Sequence, residues 1–452
     1  MTALIAPERA ALIPEVRKPK AIKLPSVADQ TLRNGLRVLA ARRPGVPRVE
    51  ARLVVPTARG DVAPSARIRM ATRTLLSGTS KRSSVDIAEL LQQIGGNLDA
   101  NSDEEHVVLT GSALAPDLPV LLDLLAEVLI DASFPDDEVA LERARLTQEI
   151  TLMRSQPETV AREALMKRMF GRHPYGRGLP SPAEVERVKP AILRSSTPER
   201  LLPTGSILVL VGDVRPDRAV AAAEEALSGW KADKRAPKPG LSTPPTIKPG
   251  ATVIIDRPGA VQTNIRMGGP AVNRSHPDFP ALALANLVFG GYFVSRLVDN
   301  IREKRGYTYS PGSAVQHLDQ ASYFYVQADV GTEVTGPALV EIRYELERML
   351  AGPIEPSELQ SAKRFLAGTL AMSIQTQAGL AGYLAMLASS DLPLEFLRDY
   401  PKAVEALDAD AVIEASRRHL APHRLVTTLV GNSEAIEPVA AAFGPVETSA
   451  GG

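Results

Sequence analysis

The sequence predicts an α+β protein with two homologous domains, each a mostly antiparallel sheet with helices on one face. Short strand and turn signals alternate with pairs of long amphipathic helices, a pattern typical of sheets covered by helices. The same order of elements then occurs a second time. Gly212 in LVGDV and Gly431 in LVGNS lie 219 residues apart, and Glu138 in FPDDEV and Glu358 in IEPSEL lie 220 residues apart. Two independent markers at nearly one offset indicate an internal duplication.

The composition is that of a globular protein without disulfides or membrane-spanning segments. The chain has 452 residues, enough for two or more domains, with 44% hydrophobic and 23% charged residues, as in ordinary globular proteins. Basic and acidic residues balance at 52 each, which argues against nucleic acid or an anionic membrane as a partner. The absence of cysteine excludes disulfides and thiolate metal sites. No apolar run approaches the roughly 20 residues that span a bilayer, and the amino terminus makes a poor signal peptide, so we expect a cytoplasmic protein.

The first domain is predicted to follow an arm. Residues 1–28 are punctuated by Pro and Lys without sustained periodicity, which predicts an extended N-terminal arm, and the domain is assigned to residues 29–231. It opens with a strand, an Asn-Gly turn at Asn34 and a second strand, which together are a hairpin signal. A helix is predicted over residues 66–77, and the next helix is predicted to have Ser84 as its N-cap.

A linker and a second domain complete the chain. Residues 232–250 are rich in Pro, Lys and Gly without periodicity and are predicted to be the linker. The second domain is assigned to residues 251–447. Within it, YTYSPGSAVQH and ASYFYVQADVG are predicted strands, and the Gly-Gly pair at Gly290 is predicted to stop a helix.

Four stretches together resemble a known family: LLSGTSKRSSVDIAELLQQIGGNLDA, ASFPDDEVALERARLTQEI, FGRHPYG and FGGYFVSRLVDNIREKRGYTYS. They resemble the insulinase/pitrilysin zinc peptidases, in family order and over nearly the whole chain from about residue 30. The resemblance implies that the two domains form one half of a clam-shaped chamber in which unfolded peptides are cut. In the short-chain branch, which includes mitochondrial processing peptidase, each half is a separate chain and one subunit holds zinc while its sister does not.

The family's zinc helix resembles the segment before Gly78, but its chemistry differs. The family carries His-x-x-Glu-His just before a Gly-Thr pair. Aligned on that pair, the resemblance places Arg69 and Arg73 at the two histidine ligands and Thr72 at the general-base glutamate. A guanidinium has no free lone pair for zinc. A threonine does not take the proton of a metal-bound water as a carboxylate does. The resemblance therefore implies a degenerate zinc site.

One acidic ligand position of the family keeps its carboxylate. Counted from Arg73, the resemblance places the third zinc ligand at Glu149, and Glu142, two helical turns earlier, matches another glutamate often seen there. Two interpretations of Glu149 are open. It is an ordinary carboxylate on a helix surface, or it pairs with Arg69 or Arg73 across the vacated site, because these arginines share one helix face and a guanidinium suits a bidentate carboxylate.

The histidines offer no replacement ligand set. Only two of the six are four residues apart, and a proline between them disrupts a shared helical face. We therefore expect no metal and no cofactor in this chain, and the resemblance implies zinc in a partner subunit. The six histidines are His106, His173, His276, His317, His419 and His423.

The second domain carries the family's Arg/Tyr element. The resemblance matches it to Arg302 and Tyr309, with Tyr307 as the less favoured tyrosine, and implies that they reach the substrate backbone at the zinc site of the partner half. Arginine and tyrosine donors can hold a scissile carbonyl and stabilise its oxyanion. The alternative is that Arg302 and Arg305 are solvated cations at a helix end and that the tyrosines are ordinary strand residues.

A substrate-binding strand is also implied. Asn97, Leu98, Asp99 and Ala100 match the family's edge strand, which pairs with substrate backbone in active subunits. The function predicted from all these features is a non-catalytic subunit of a heterodimeric zinc metallopeptidase. It is inactive alone and contributes chamber wall and substrate contacts in trans to a homologous zinc-bearing partner, with unfolded peptide as substrate. The alternatives are a catalytically inactive structural or assembly protein of the same fold, and a homodimeric peptide-binding clamp.

Overall fold

The computed structural model describes residues 22–58, 65–197, 199–233 and 236–450. These residues form two six-stranded sheets, one in each half of the chain. The prediction of two α+β domains is confirmed. Most of the predicted arm lies outside the described residues, and the first strand begins at Val27, inside the range assigned to that arm.

The first sheet is antiparallel except for one pair of strands. Its strands are Val27–Thr31 (β1), Arg37–Arg42 (β2), Arg48–Pro56 (β3), Asn97–Ser102 (β4), His106–Leu114 (β5) and Ile207–Gly212 (β6). Their spatial order is β1-β2-β6-β3-β5-β4. Only β2 and β6 run parallel, because the chain passes through most of the domain's helices between them.

The second sheet repeats five of the six strands of the first, all but β1. Its strands are Thr252–Asp256 (β7), Gln262–Pro270 (β8), Gly312–His317 (β9), Ser322–Gly331 (β10), Val426–Gly431 (β11) and Val446–Ala450 (β12). The spatial order is β12-β7-β11-β8-β10-β9, so β7 to β11 occupy the places of β2 to β6. The outer strand differs, because β12 comes from the carboxyl end and runs parallel to β7. It continues past residue 447, where the second domain was predicted to end.

The helices follow the same duplication. In the first half they are Ser65–Thr74 (α1), Ser84–Gln93 (α2), Leu118–Ile130 (α3), Asp136–Ser155 (α4), Pro157–Phe170 (α5), Pro182–Glu186 (α6), Pro190–Ser196 (α7) and Pro216–Ala226 (α8). In the second half they are Phe279–Asn286 (α9), Arg296–Val298 (α10), Thr335–Ala351 (α11), Pro356–Ser373 (α12), Gln377–Ser389 (α13), Phe396–Ala406 (α14), Ala409–His419 (α15) and Ser433–Ala441 (α16). Two π-helical stretches, Leu287–Gly291 and Asp299–Lys304, continue α9 and α10. None of the described helices is long and apolar enough to cross a membrane.

Two predicted helix boundaries need correction. The helix predicted over residues 66–77 ends earlier, at Thr74. The N-cap of α2 is Ser83 rather than Ser84, because Ser83 keeps an extended backbone and forms a reciprocal capping box with Asp86. Glu138 and Glu358 both occupy the third position of their helices, α4 and α12, which agrees with the duplication.

Each sheet is covered by helices of its own domain on one face and by one helix of the other domain on the opposite face. α13 packs on β3 and β6 of the first sheet, while α5 packs on β8 and β11 of the second. Leu384 of α13 is buried with Val209, and Met169 of α5 is buried with Val426. Gly268 of β8 allows this approach, because a Cβ there would lie 2.8 Å from the sulfur of Met169. The two domains therefore share their cores.

The described part of the predicted linker lies along the first domain. The backbone N–H of Gly240 donates to the carbonyl of Ala58 at 2.8 Å, and Leu241 is buried. His173 Nε2 lies 3.0 Å from the carbonyl oxygen of Ser242. These contacts fix the path of the connection across the surface.

Candidate functional site: a degenerate zinc helix and an Arg/Tyr pocket

α1 holds the three residues at the family's catalytic positions. Its apolar residues face the core, with Ile68 and Met70 buried, so Arg69 and Arg73 emerge together on the opposite side. Thr72 is buried, and its hydroxyl oxygen has no hydrogen-bond partner among the described residues. An unsatisfied buried hydroxyl is costly, and no water-activating carboxylate occupies this place.

The neighbouring helix α4 presents two carboxylates to Arg73. Arg73 donates from Nε to Glu142 at 3.0 Å and from a terminal nitrogen to Glu149 at 2.9 Å. Glu142 and Glu149 are two helical turns apart, so one guanidinium reaches both. Although burial opposes ionisation, hydrogen bonds from Arg145 and Arg73 hold the pKa of Glu142 below its usual range. Arg73 thus makes the contact across the vacated site that one interpretation of Glu149 required.

Arg69 has a different partner. Its guanidinium lies 3.9 Å from Glu104, in the turn between β4 and β5. This distance makes the pair a loose contact between partly exposed groups, which contributes little to stability. Arg69 and Arg73 therefore share a helix face but not a carboxylate.

The residues at the family's zinc positions do not fit a zinc ion. Zinc requires nitrogen, sulfur or oxygen atoms with free lone pairs, and two protonated guanidiniums supply none. The carboxylates of Glu142 and Glu149 are both ion-paired with Arg73, and Glu142 also pairs with Arg145. The chemistry of this donor set is that of an ion-pair network.

The predicted substrate-binding residues lie on β4, which is the last strand of the first sheet. β4 pairs with β5 on one side, and no described strand pairs with its other edge. The side chain of Leu98 is buried, whereas those of Asn97 and Asp99 are exposed. Because α1 packs against β4, an extended peptide added to this edge would lie beside the Arg73 network.

The Arg/Tyr element of the second domain forms an open pocket. The guanidinium of Arg302 lies over two aromatic rings, 4.8 Å from the ring centre of Phe293 and 4.6 Å from that of Tyr309. Both aromatic rings are largely exposed, Phe293 by 63% and Tyr309 by 79%. The pocket has a volume of about 350 Å³ and includes Gln327 in its wall. Cation–π contact with two rings restricts the position of the Arg302 side chain.

The structure separates the two tyrosines that the sequence left as alternatives. Tyr307 is partly buried against the core of the second domain, whereas Tyr309 lines the pocket. The prediction that both lie on a strand is wrong, because β9 begins only at Gly312. Pro311 has no N–H to donate to a sheet, which delays the strand and leaves Tyr309 in an irregular segment. Phe293 was missed, although a large exposed aromatic residue after a Gly-Gly pair was a usable signal.

A buried polar cluster at the junction of the two domains was also missed. Glu105 accepts hydrogen bonds from the hydroxyl of Tyr175 and from the backbone N–H of Asp319, the latter at 2.9 Å. His106 Nε2 lies 3.0 Å from the Asp319 carboxylate, and Nδ1 lies 3.7 Å from Asp103. Burial raises the pKa of Glu105 to about 7, and Asp319 adds to this shift.

Glu105, His106 and Asp319 are also the one set of three potential metal ligands that converges within the described residues. Although burial disfavours the imidazolium, contacts with Asp103 and Asp319 raise the pKa of His106 to about 10. At neutral pH both ring nitrogens therefore carry protons, and neither offers a lone pair to a metal. The cluster is an ion-paired contact between domains.

The fold defines a class of protein: a chain of two homologous α+β domains related by an internal duplication. Residues 70–183 match the family model described as insulinase (peptidase family M16), and residues 194–366 match the model described as peptidase M16 inactive domain. The two matches together span well over half of the chain. The chain belongs to peptidase family M16.

Curated relatives and solved structures agree with this assignment. An uncharacterized zinc protease of Mycobacterium leprae is 26% identical over 392 residues, which is 86% of this chain and 87% of the relative. An uncharacterized zinc protease of Mycobacterium tuberculosis is 26% identical over 360 residues, 79% of this chain and 82% of the relative. These relatives carry zinc in their names.

Solved structures show the same fold at low identity. A peptidase M16 inactive domain from Pseudomonas fluorescens superposes with a TM-score of 0.80 and 24% identity, covering 90% of this chain and 98% of the other. A protease from Helicobacter pylori superposes with a TM-score of 0.81 and 19% identity, covering 90% of this chain and 100% of the other. A periplasmic protease from Escherichia coli superposes with a TM-score of 0.77 and 16% identity, covering 92% of this chain but 46% of the other.

Proposed function

We propose that this chain is the non-catalytic subunit of a heterodimeric zinc metallopeptidase that processes or degrades unfolded peptides. It forms one half of a clam-shaped chamber and places Arg302 and Tyr309 against substrate bound at the zinc of a homologous partner. The observation that carries the proposal is the contrast between two sites: at the zinc positions Arg73 is ion-paired with Glu142 and Glu149, while Arg302 and Tyr309 line an open pocket.

The geometry of Arg302 supports a role toward substrate. A guanidinium in contact with two rings is restricted in direction, which favours donation of its terminal N–H groups to a carbonyl oxygen whose charge grows during reaction. Its Nε lies 3.2 Å from the exposed carboxylate of Glu303. Tyr309 adds a hydroxyl donor at the same pocket. Arg305 pairs with Glu341 at 2.7 Å and does not line the pocket.

The α1 site supports the non-catalytic assignment. In our proposal the partner supplies the zinc and the general base, and this chain supplies neither. The edge of β4 is available for backbone pairing with a peptide, through Asn97 to Ala100. A peptide held there would lie next to ion-paired arginines and would be bound without being cut.

Partner and location remain proposals as well. We propose a partner of similar length with an intact His-x-x-Glu-His motif. A cytoplasmic location remains our prediction, and the E. coli structure that shares the fold is named as a periplasmic protease.

The test combines the purified full-length chain with a purified homologue that carries His-x-x-Glu-His. Zinc content and cleavage of an unstructured fluorogenic peptide are measured for each chain and for the mixture. We expect cleavage only in the mixture. We expect Tyr309→Phe to lower kcat about 100-fold with KM nearly unchanged, because an oxyanion donor acts in the transition state.

Arg305→Ala is the matched control, since it removes an arginine three residues from Arg302 that lies outside the pocket. It should leave cleavage by the mixture unchanged. Zinc bound stoichiometrically by this chain alone, with cleavage, would overturn the non-catalytic assignment. A mixture that binds the peptide without cutting it would favour the structural protein or the clamp, whose supporting feature is the free edge of β4.

A further inference from the structure

A large cavity lies in the second domain, apart from the residues discussed so far. It has a volume of about 650 Å³ and is enclosed by α9, β9, α12, α13 and α14. This volume is within the range of sites for small organic ligands. None of the residues proposed to contact peptide lines it.

One end of the cavity is cationic. Arg274, in the loop between β8 and α9, lines the cavity, and no described carboxylate pairs with its guanidinium. Burial lowers the pKa of Arg274, and Tyr400 and Tyr383 oppose this shift. Burial and the nearby Arg274 lower the pKa of His317 to about 4, so its imidazole is neutral at pH 7.

The other donors at this end are neutral. Tyr383, Tyr400 and His317 all line the cavity beside Arg274. His317 Nδ1 shares a hydrogen bond with the hydroxyl of Ser322 at 2.8 Å, and its Nε2 has no hydrogen-bond partner among the described residues. Two hydroxyls, one imidazole and one guanidinium without an acidic partner form a receptor for a single anionic group.

The rest of the wall is mainly apolar, and its polar residues, Asn286, Thr369 and Ser373, are uncharged. Most of it is formed by aromatic and aliphatic side chains, among them Phe279, Leu282, Leu366, Leu370, Met386 and Leu397. A buried peptide backbone would leave its N–H and carbonyl groups unsatisfied against such a wall. An alkyl chain has no such groups, and methionine and leucine side chains adapt to its shape.

We propose that this cavity binds a medium-chain carboxylic acid, with the carboxylate at Arg274 and the alkyl chain along the apolar wall. The fit of charge is specific: one cation without a partner at one end, and no charged residue along the remaining wall. This site is separate from the Arg302 pocket, and its occupancy does not depend on a partner subunit.

The test is isothermal titration calorimetry of the full-length chain with dodecanoate, at concentrations below micelle formation. We expect one site with a Kd on the order of 10 µM, as fits a ligand of this size. Dodecanol and dodecyltrimethylammonium, which share the chain but lack the anion, should bind at least tenfold more weakly. Equal binding of all three would overturn the proposal.

Substitutions at the cavity test where dodecanoate binds. Arg274→Gln should lower the affinity for dodecanoate at least tenfold, which corresponds to about 1.4 kcal/mol, and Arg274→Lys should restore part of it. Arg364→Gln is the matched control, because Arg364 is exposed on α12 and does not line the cavity. If Arg274→Gln does not fold, Tyr400→Phe should lower the affinity several-fold. Unchanged affinity in the folded Arg274 or Tyr400 variants would refute the site.

Discussion

Arg73 should stabilise the first domain mainly through Glu142, although the family's ligand position is Glu149. The side chain of Glu142 is 14% exposed and that of Glu149 is 47% exposed, while Arg73 itself is 34% exposed. Solvent screens the Glu149 contact, so its coupling to Arg73 should be about 0.5 kcal/mol or less. The more buried contact with Glu142 should couple by about 1 to 2 kcal/mol, even though Arg145 remains as a second partner.

Double-mutant cycles measure both couplings. Arg73→Met is combined with Glu142→Gln and, separately, with Glu149→Gln, and unfolding in urea is followed by the fluorescence of Trp230. Trp230 is the one tryptophan of the chain and is buried in the core of the first domain, so its signal reports that domain.

The coupling with Glu142 should depend on pH in a defined direction. Because its pKa is lowered in the folded protein, the stabilisation is complete above its ordinary pKa of 4.5 and is lost as the pH falls through the lowered value. A coupling with Glu149 that exceeds the one with Glu142, or a coupling with Glu142 that persists unchanged at pH 3, would refute this reasoning.

Two further predictions concern buried polar groups. Thr72→Val should raise the free energy of unfolding by about 1 kcal/mol, because it removes a buried hydroxyl without a described partner and keeps the side-chain shape. Urea unfolding checks this, and a loss of stability would mean that the hydroxyl has a partner. Glu105 and His106 both have raised pKa values in the folded protein, about 7 and about 10. Each group therefore stabilises the folded protein at low pH, and this stabilisation falls as the pH rises. For Glu105 the fall should occur between about pH 4.5 and 7, and for His106 between about pH 6.5 and 10. Thermal unfolding of Glu105→Gln should lack the first of these declines, and an identical pH profile would contradict the assignment.

The sequence could predict those features that depend on local patterns. Strand and helix order follow from periodicity, and the duplication follows from the two Gly and two Glu markers. Arg73 and Glu149 could be paired because the resemblance already related their positions. Tyr309 was placed on a strand because Tyr and Thr favour strands, but Pro311 interrupts the ladder. β12 is a polar pentapeptide whose burial is slight, so it gave no periodic signal.

Features that depend on tertiary contacts could not be predicted. Asp319 and Glu105 lie 214 residues apart, and each stands in a polar turn that by pattern alone faces solvent. The sequence of an amphipathic helix shows that it covers an apolar surface, but not whose surface. The packing of α5 and α13 on the other domain could therefore not be predicted from the sequence. The same holds for the cavity at Arg274, because it is lined by four helices that meet only in the folded protein.

The crossed packing of α5 and α13 follows the internal duplication of the chain. The two helices begin at Pro157 and Gln377, which differ by 220 residues, the same offset as the helix marker of the duplication. Each is thus the counterpart of the other, exchanged between equivalent sheets. Two separate copies that exchanged these helices would form a domain-swapped homodimer with the same packing. In a single polypeptide the two halves can differ in sequence, so that Arg73 lies in one half and Arg302 in the other, a division that an assembly of identical subunits could not make.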